Sequence, residues 1–319
     1  MRKVYARMTK KIAVIDLGTN TFHILVAEIT DNGMKVLHTE KLSVKIGRGG
    51  INDGIITDSA QQRALDALAR FKKTMDEYHV DETFATATSA IRSAKNGRDL
   101  VEKIRQQTGI EVTIISGDLE ASYIYRAVKK AVKLGGTTSL IMDIGGGSVE
   151  FILCNENSIF WKGSFEIGAQ RLLDLFHYHD PILQEEIENL NLFLIDRLSS
   201  LIRACIKFKP VVLVGASGSF DTFSDIYRIK AGIKKTDEQT ELPLSVESFR
   251  EIYNDIISKN KEERMAIPGM IEMRVDMIVV ASILVDFVTQ NCNLNKIRVS
   301  SYSLKEGVLF NILDSLNNH

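Results

Sequence analysis

Two short segments of the chain place an aspartate at the end of an apolar run and follow it with glycine and hydroxyl residues. The first runs from Ile12 to Thr21 (IAVIDLGTNT) and the second from Leu140 to Ser148 (LIMDIGGGS). A glycine-rich turn between two strands exposes backbone N–H groups that can wrap a phosphate, because glycine permits positive φ and a close approach to the backbone. An aspartate at the strand end suits Mg²⁺, which prefers oxygen ligands and keeps several waters. Two copies of such a segment therefore indicate phosphate binding rather than ordinary hairpin turns.

The residues of the two turns are the candidate phosphate ligands, and the carboxylates beside them are the candidate metal ligands. Asp16 ends the first apolar run, and Asp143 ends the second. Glu150 follows the second turn, so a hairpin that folds back on itself can bring it close to Asp143. The chain contains neither GxGxxG nor a Walker-type GxxxxGK loop, so it lacks both of those nucleotide-binding fingerprints. The turns would contact phosphate through Thr19, Asn20 and Thr21 in the first copy and through Gly145, Gly146, Gly147 and Ser148 in the second.

Each turn opens a longer repeat that places it in a unit of three antiparallel strands. After the turn come a strand, a tight turn, a second strand and a pair formed by an aliphatic residue and glycine. The first copy comprises Phe22–Ile29, Asp31–Gly33, Met34–Leu42 and Ile46-Gly47, and the second comprises Val149–Cys154, Asn155–Asn157, Ser158–Phe165 and Ile167-Gly168.

Helical and strand patterns then alternate in each half. Antiparallel hairpins followed by β–α units predict an α/β fold, with a mixed sheet flanked by helices that is built twice. The predicted domains are residues 1–133 together with the C-terminal helix 304–319, and residues 134–303, with Gly135-Gly136 as the hinge. The apolar spacing predicts helices at 58–78, 98–107, 118–133, 187–205, 246–259, 276–290 and 304–315, and strands at 83–88, 112–115, 211–214 and 297–301.

The composition is that of an ordinary globular protein. The 319 residues are 45% hydrophobic and 25% charged, which excludes a disordered, collagen-like or disulfide-stapled chain. With 40 Lys+Arg against 41 Asp+Glu, the net charge of −1 argues against binding of duplex nucleic acid. The apolar run Met277–Val285 is too short to span a bilayer, so no membrane contact and a cytoplasmic location are expected. Cys154, Cys205 and Cys292 lack the spacing of a metal site or a disulfide framework.

Six short segments, spread over essentially the whole chain, form a family signature. They are AVIDLGTNTFH (13–23), ATATSAIRSAKN (85–96), ISGDLEA (115–121), MDIGGGSVEF (142–151), GASGS (215–219) and RVDMI (274–278). In this order they resemble the exopolyphosphatase and guanosine pentaphosphate phosphohydrolase (Ppx/GppA) family in its short, two-domain form. That family lies within the superfamily of actin, sugar kinases and heat-shock ATPases. The resemblance implies two ribonuclease H-like, actin-like domains around an interdomain cleft.

The resemblance also implies roles for individual residues. Glu120, in the first turn of a predicted helix, would be the catalytic carboxylate that orients and deprotonates the attacking water. Asp143 and Glu150 would belong to the magnesium and catalytic centre, and the repeat adds Asp16 as a weaker metal ligand. Arg92 would bind phosphate, because its planar fork suits bidentate contact.

The predicted activity is magnesium-dependent release of terminal orthophosphate from polyphosphate or from a phosphorylated guanosine nucleotide. Three alternatives stay open: a nucleotide phosphatase, an ATP-dependent kinase or ATPase of the same superfold, and a non-catalytic sensor that binds polyphosphate or a guanosine alarmone. The kinase would bind a nucleoside beside Gly215–Ser219. The sequence does not fix the preferred substrate or the oligomeric state, for which a homodimer is one alternative.

Overall fold

The chain forms two compact units, one of residues up to Ser116 and one from Gly117 onward. A computed structural model describes residues 9–30, 33–234, 236 and 239–317. The tight turn predicted at 31–33 therefore falls mostly outside the described residues, since only Gly33 of it is included. The predicted domain boundaries at 133/134 and 303/304 stay predictions.

The first unit is a mixed sheet with helices packed against it. Its described strands lie in the order β3-β2-β1-β4-β5, in which β1, β2 and β3 are antiparallel and β4 and β5 run parallel to β1. Buried aliphatic residues of β1 and β2 pack against the apolar face of α1, as the spacing of that helix predicted. The elements are β1 (Lys10–Leu17), β2 (Thr21–Thr30), β3 (Gly33–Ser43), α1 (Asp58–Tyr78), β4 (Glu82–Ala87), α2 (Ser89–Ser93), α3 (Gly97–Thr108) and β5 (Val112–Ile114).

The second unit repeats this plan with further helices. Its described strands lie in the order β10-β11-β9-β6-β7-β8, and β6, β7 and β8 form the antiparallel triple that the repeat predicted. The elements are α4 (Gly117–Ala131), β6 (Ser139–Ile144), β7 (Val149–Cys154), β8 (Ile159–Phe165), α5 (Ala169–Phe176), α6 (Gln184–Arg197), α7 (Ser199–Phe208), β9 (Val212–Ala216), α8 (Gly218–Lys230), β10 (Glu241–Leu242), α9 (Val246–Ile257), α10 (Lys261–Met265), α11 (Met277–Asn291), β11 (Lys296–Ser300) and α12 (Leu304–Asn317).

The fold confirms the predicted α/β class with two mixed sheets, and it corrects one helix. The helix predicted at 187–205 is two helices, α6 and α7, separated at Leu198, whose backbone lies at φ −99° and ψ 13°. The helical hydrogen bonds continue on both sides, from Leu198 N–H to Leu194 and from Ile202 N–H to Leu198, each at 2.9 Å. Because helical hydrogen bonding continues through Leu198, the apolar residues of α6 and α7 keep a single helical spacing. The periodicity of the sequence alone therefore could not reveal the break.

The last helix, α12, packs along α4. The two backbones come close at Gly307, where a Cβ atom would collide with the carbonyl of Tyr123. This contact fixes the start of α12 beside the first turns of α4. Within the described residues, no helix has the length and apolar character needed to cross a membrane.

Candidate active site

The carboxylates predicted from the second turn lie on adjacent strands. Asp143 on β6 is directly opposite Glu150 on β7, so both side chains project from the same face of the sheet. The row continues on either side, to Ser164 on β8 and to Ala216 on β9. Asp143 is 6% exposed and Glu150 is 1% exposed, so the row forms a buried acidic centre.

The glycine turn that joins β6 to β7 has its carbonyl groups fixed by α5. The N–H groups of Ala169 and Gln170 donate to the carbonyls of Gly145 and Gly146, each at 2.9 Å, and Gly168 N–H donates to the carbonyl of Gly147 at 3.1 Å. In a trans peptide the C=O and the following N–H point in opposite directions. The N–H groups of residues 146, 147 and 148 therefore face away from α5, an arrangement that suits an anion.

Two glycines make this packing feasible. A Cβ atom at Gly168 would collide with the backbone of Gly146 and Gly147, so only glycine lets α5 approach the turn. A Cβ atom at Gly145 would lie 2.9 Å from the carbonyl oxygen of Ser148, which accepts the turn-closing hydrogen bond from Gly145 N–H. The glycine that ends the predicted repeat, Gly168, is thus what orients the turn.

Glu120 lies in the first turn of α4 and is 6% exposed. Its helix packs on β7 and β8. Lys162 of β8 fastens that first turn, because its ammonium donates to the carbonyl of Asp118 at 2.9 Å and to the hydroxyl of Ser122 at 2.8 Å. The structure therefore brings Glu120 to the same centre as Asp143 and Glu150.

The three carboxylates act on one another electrostatically. Burial raises the pKa of Asp143 to about 7, the charge of Glu120 adds to the rise, and a hydrogen bond from Ser217 opposes it. Burial, followed by the charge of Glu120, also raises the pKa of Glu150, whose carboxylate accepts a hydrogen bond from Ser164 at 2.7 Å. Crowded acidic groups of this kind are stabilised in their charged form by a nearby cation.

The donor set fits Mg²⁺ in the way that ion usually binds. No three His, Cys, Asp or Glu residues in the described part of the chain are arranged to hold a metal by themselves. Magnesium is typically held by one or two carboxylates, with waters and substrate phosphates completing its octahedron. Asp143 and Glu150 project from the same face of the sheet, on the two strands that the glycine turn joins. They provide such a partial set of metal ligands.

The first unit has a corresponding turn, which carries Thr19, Asn20 and Thr21. Like the glycine turn of the second unit, it is closed by a hydrogen bond from its first glycine: Gly18 N–H donates to the carbonyl of Thr21 at 3.1 Å. All three polar residues are buried. Asp16 stands opposite His23 on β2 and Thr86 on β4. The structure thus keeps the three turn residues together, and the residues opposite Asp16 on its two neighbouring strands are a histidine and a threonine, whereas Asp143 faces a second carboxylate.

Arg92 belongs to the first unit as well. It lies in the short helix α2, is partly buried, and donates to the carbonyl of Ile115 at 3.3 Å. Thr86 and Thr88, at the end of the preceding strand, donate to the carbonyls of Ile15 and Leu17 in β1. The helix that carries Arg92 therefore starts where β4 runs beside the turn-bearing strand β1.

Several residues of the acidic centre were not predicted from the sequence. Lys305, at the start of α12, and Arg274, just before α11, both act electrostatically on Asp143. Burial lowers the pKa of Arg274, and the charges of Asp221 and Asp143 oppose that effect. The signature segment RVDMI contained a signal for Arg274, whereas Lys305 lies far along the chain with no motif around it.

Comparisons with known proteins identify the family of this chain. The model of the Ppx/GppA phosphatase family matches residues 25–316. A guanosine-5'-triphosphate,3'-diphosphate pyrophosphatase of Pseudoalteromonas translucida is 27% identical over 307 residues, which are 96% of this chain and 60% of that protein.

Solved structures give the same answer. The crystal structure of an exopolyphosphatase from Cytophaga hutchinsonii has 43% sequence identity and a TM-score of 0.93, covering 96% of this chain and 98% of that one. The Aquifex aeolicus family member has 24% identity and a TM-score of 0.78, covering 98% of this chain and 100% of that one, and shares the fold. The chain belongs to the Ppx/GppA phosphatase family and is a hydrolase that acts on phosphoanhydride bonds.

Proposed function

We propose that the protein is a magnesium-dependent exopolyphosphatase that releases terminal orthophosphate from inorganic polyphosphate, with guanosine pentaphosphate as a related substrate. The observation that carries the proposal is the buried row of Asp143 and Glu150 beside a turn whose N–H groups face away from α5. The 43% identity to the Cytophaga hutchinsonii exopolyphosphatase supports the choice of polyphosphate.

Glu120 is the base of the proposed reaction. A water oriented by its carboxylate attacks the terminal phosphorus in line with the bridging oxygen, and the carboxylate accepts the water's proton. The bond between that phosphorus and the bridging oxygen breaks. The products are orthophosphate and a polyphosphate chain that is shorter by one phosphate. The placement of Glu120 in the first turn of α4, held by Lys162, keeps the carboxylate fixed during the attack.

The glycine turn stabilises the transferring phosphoryl group. Phosphoryl transfer relies mainly on positioning and on charge stabilisation, and fixed N–H groups cost no reorganisation at the moment of reaction. The N–H groups of residues 146–148 are fixed in this way, because α5 holds the carbonyls of the same peptides. The hydroxyl of Ser148, at the end of the turn, is hydrogen-bonded to the carboxylate of Glu150 and so ties the turn to the acidic centre.

Asp143 and Glu150 are the proposed metal ligands, directly or through water, with Asp16 as a weaker one. Bound Mg²⁺ would supply charge neutralisation for the phosphate oxygens. Thr19, Asn20, Thr21 and Arg92 of the first unit are proposed to bind phosphate without taking part in the chemical step.

A phosphate-release assay tests the proposal most directly. Long-chain polyphosphate, guanosine pentaphosphate and ATP are each incubated with the protein, in Mg²⁺ and in EDTA, without any acceptor. We expect rapid release of orthophosphate from polyphosphate in Mg²⁺, slower release from guanosine pentaphosphate, and none in EDTA. Release from ATP alone would identify a nucleotide phosphatase instead, and binding of polyphosphate with no release would identify a sensor.

A further inference from the structure

Ser217 holds a backbone conformation that serine rarely adopts. Its φ is 73° and its ψ is 174°, a region populated almost entirely by glycine. Such outliers persist only where the surrounding structure imposes them, and they concentrate at functional sites. Ser217 also precedes α8 as its N-cap, yet its side chain makes no capping hydrogen bond. The hydroxyl is therefore used for something other than the helix.

The turn around Ser217 is shaped by this chain's own side chains. A Cβ atom at Gly215 would collide with the ring of Phe220, and one at Gly218 would collide with the guanidinium of Arg274. Both glycines thus serve internal packing, which explains the GASGS segment without a nucleoside. Between them, the one side chain with a polar group, that of Ser217, is hydrogen-bonded to Asp143.

The register of the sheet explains why Ser217 reaches Asp143. Ala216 of β9 is the residue opposite Asp143, and Ser217 is the next residue, where the strand has ended. A serine with ordinary strand dihedral angles would continue the strand alternation, whereas the positive φ redirects the side chain. With this backbone conformation, the hydroxyl of Ser217 is hydrogen-bonded to the carboxylate of Asp143.

A second hydroxyl lies on the outer side of Glu150. Ser164 of β8 is opposite Glu150, and its Oγ donates to Glu150 Oε1 at 2.7 Å. Ser164 thus lies in the row beside Glu150, and Ser217 directly follows Ala216, the residue of the row beside Asp143. Each carboxylate has one of these two serines on its outer flank, and Glu150 is also hydrogen-bonded to Ser148 of the glycine turn.

We propose that Ser217 and Ser164 are positioning residues that fix the orientations of Asp143 and Glu150 for cation binding and phosphoryl transfer. This inference rests on the proposed function. A buried carboxylate without a fixed partner can rotate about its last side-chain bond, so its oxygens would meet the cation and the phosphate in the required geometry only part of the time. Loss of either hydroxyl should lower the rate of the chemical step more than it weakens substrate binding.

Ser217→Gly is the discriminating variant, because it removes the hydroxyl and relieves the backbone strain together. We expect its melting temperature to equal or exceed that of the wild type, since glycine is also nearly as good an N-cap. Its kcat on polyphosphate should fall about tenfold or more, with KM changed less than threefold, if one charge-assisted hydrogen bond is lost. A residue that only stabilised the fold would show the reverse pattern.

Ser164→Ala should lower kcat in the same way, and Ser164→Thr, which restores the hydroxyl, should recover most of it. Two controls match these changes. Lys209→Gly alters another positive-φ residue of the second unit, and Ser139→Ala alters a buried serine of β6 that lies away from Asp143. Both controls should retain wild-type kcat.

Binding of Mn²⁺, followed by electron paramagnetic resonance without substrate, separates this inference from the proposed function. We expect Ser217→Gly and Ser164→Ala to broaden the bound Mn²⁺ signal or weaken its binding about tenfold, even if polyphosphate proves not to be the substrate. An unchanged Mn²⁺ signal in both variants, or a kcat equal to that of the wild type in both, would overturn the positioning role. Recovery with Ser164→Thr supports it, and failure of Thr to recover Mn²⁺ binding contradicts it.

Discussion

The two turns of the internal repeat share a scaffold and differ in the chemistry placed upon it. Both are closed by a bond from the first glycine to the carbonyl of the fourth residue, from Gly18 at 3.1 Å and from Gly145 at 3.0 Å. The glycine that ends the repeat donates to a turn carbonyl in both copies, although the acceptor differs by one position: Gly47 N–H donates to the second turn residue, Thr19, and Gly168 N–H to the third, Gly147. The backbone of the repeat has therefore been kept in both units.

The two copies differ in the residue that lies opposite the strand-end aspartate. Asp143 faces Glu150, whereas Asp16 faces His23, whose ring lies 3.2 Å from the hydroxyl of Thr21. The second unit thus has an acidic pair that suits a cation, and the first has hydroxyl, amide and imidazole groups that suit phosphate oxygens. The proposed function accordingly assigns the reaction to the hairpin of the second unit and phosphate binding to that of the first.

The largest effect is expected from Glu120→Gln, because Glu120 is the proposed base of the reaction. The amide keeps the shape and removes the proton acceptor, so kcat for phosphate release should fall by about 10²–10⁴. The melting temperature and the affinity for polyphosphate should stay close to those of the wild type. Glu111→Gln, which alters an exposed glutamate just before β5, is the matched control and should retain full activity. Near wild-type turnover in Glu120→Gln would remove Glu120 from the mechanism.

The acidic pair also predicts a dependence of stability on pH. The pKa of Asp143 rises from 3.8 to about 7 in the folded protein. Because the folded state holds this proton more tightly, the stabilisation is complete below about pH 4 and is lost as the pH rises through 7. In EDTA, Asp143→Asn should therefore be more stable than the wild type by roughly 2–4 kcal/mol at pH 8, with little difference at pH 4. Urea unfolding at both pH values measures this, and an equal difference at both would contradict it.

The glycines that end the repeat, Gly168 and Gly47, pack against the two turns in different ways. In Gly168→Ala the new methyl would meet backbone of the second turn, whereas in Gly47→Ala it would meet the side-chain methyl of Thr19 at 2.5 Å. A side chain can move aside more easily than backbone, so we expect Gly168→Ala to cost about 1–3 kcal/mol of unfolding free energy and Gly47→Ala less. Chemical denaturation measures the unfolding free energy of both variants. A larger loss in Gly47→Ala than in Gly168→Ala would contradict this difference in packing.

Arg92→Ala should have the smallest effect on the reaction, because Arg92 is proposed to bind phosphate without taking part in the chemical step. We expect KM for polyphosphate to rise about tenfold with kcat nearly unchanged, as for the loss of one charge-assisted contact. Steady-state kinetics at several chain lengths measures the split. Arg70→Ala, at an exposed arginine of α1, is a control for lost positive charge. A fall in kcat with constant KM would place Arg92 in the chemical step.

The parts of the molecule set by local pattern were predictable from the sequence. Helix α1 occupies the predicted residues 58–78, because its apolar spacing is complete. The hairpin pattern likewise predicted that Asp143 and Glu150 would be neighbours, since a tight turn leaves few alternatives for the register. These inferences needed no information from distant parts of the chain.

The residues that were missed depend on contacts between distant segments. Ser164 is positioned by the register of β7 with β8, and Ser217 by the pairing of β6 with β9, neither of which a local pattern fixes. Lys305 reaches the acidic centre only because α12 packs on α4 through Gly307. The predicted location in the cytoplasm, the magnesium requirement and the oligomeric state stay predictions.

The difference between the two copies can be measured with a matched pair of variants, Asp143→Asn and Asp16→Asn. Each removes the charge of the strand-end aspartate and keeps its shape. Phosphate release from long-chain polyphosphate is measured in saturating Mg²⁺, with folding checked by circular dichroism. We expect kcat to fall at least about tenfold further in Asp143→Asn than in Asp16→Asn. An equal loss in both variants, or a greater loss in Asp16→Asn, would contradict the assignment of the reaction to the second unit.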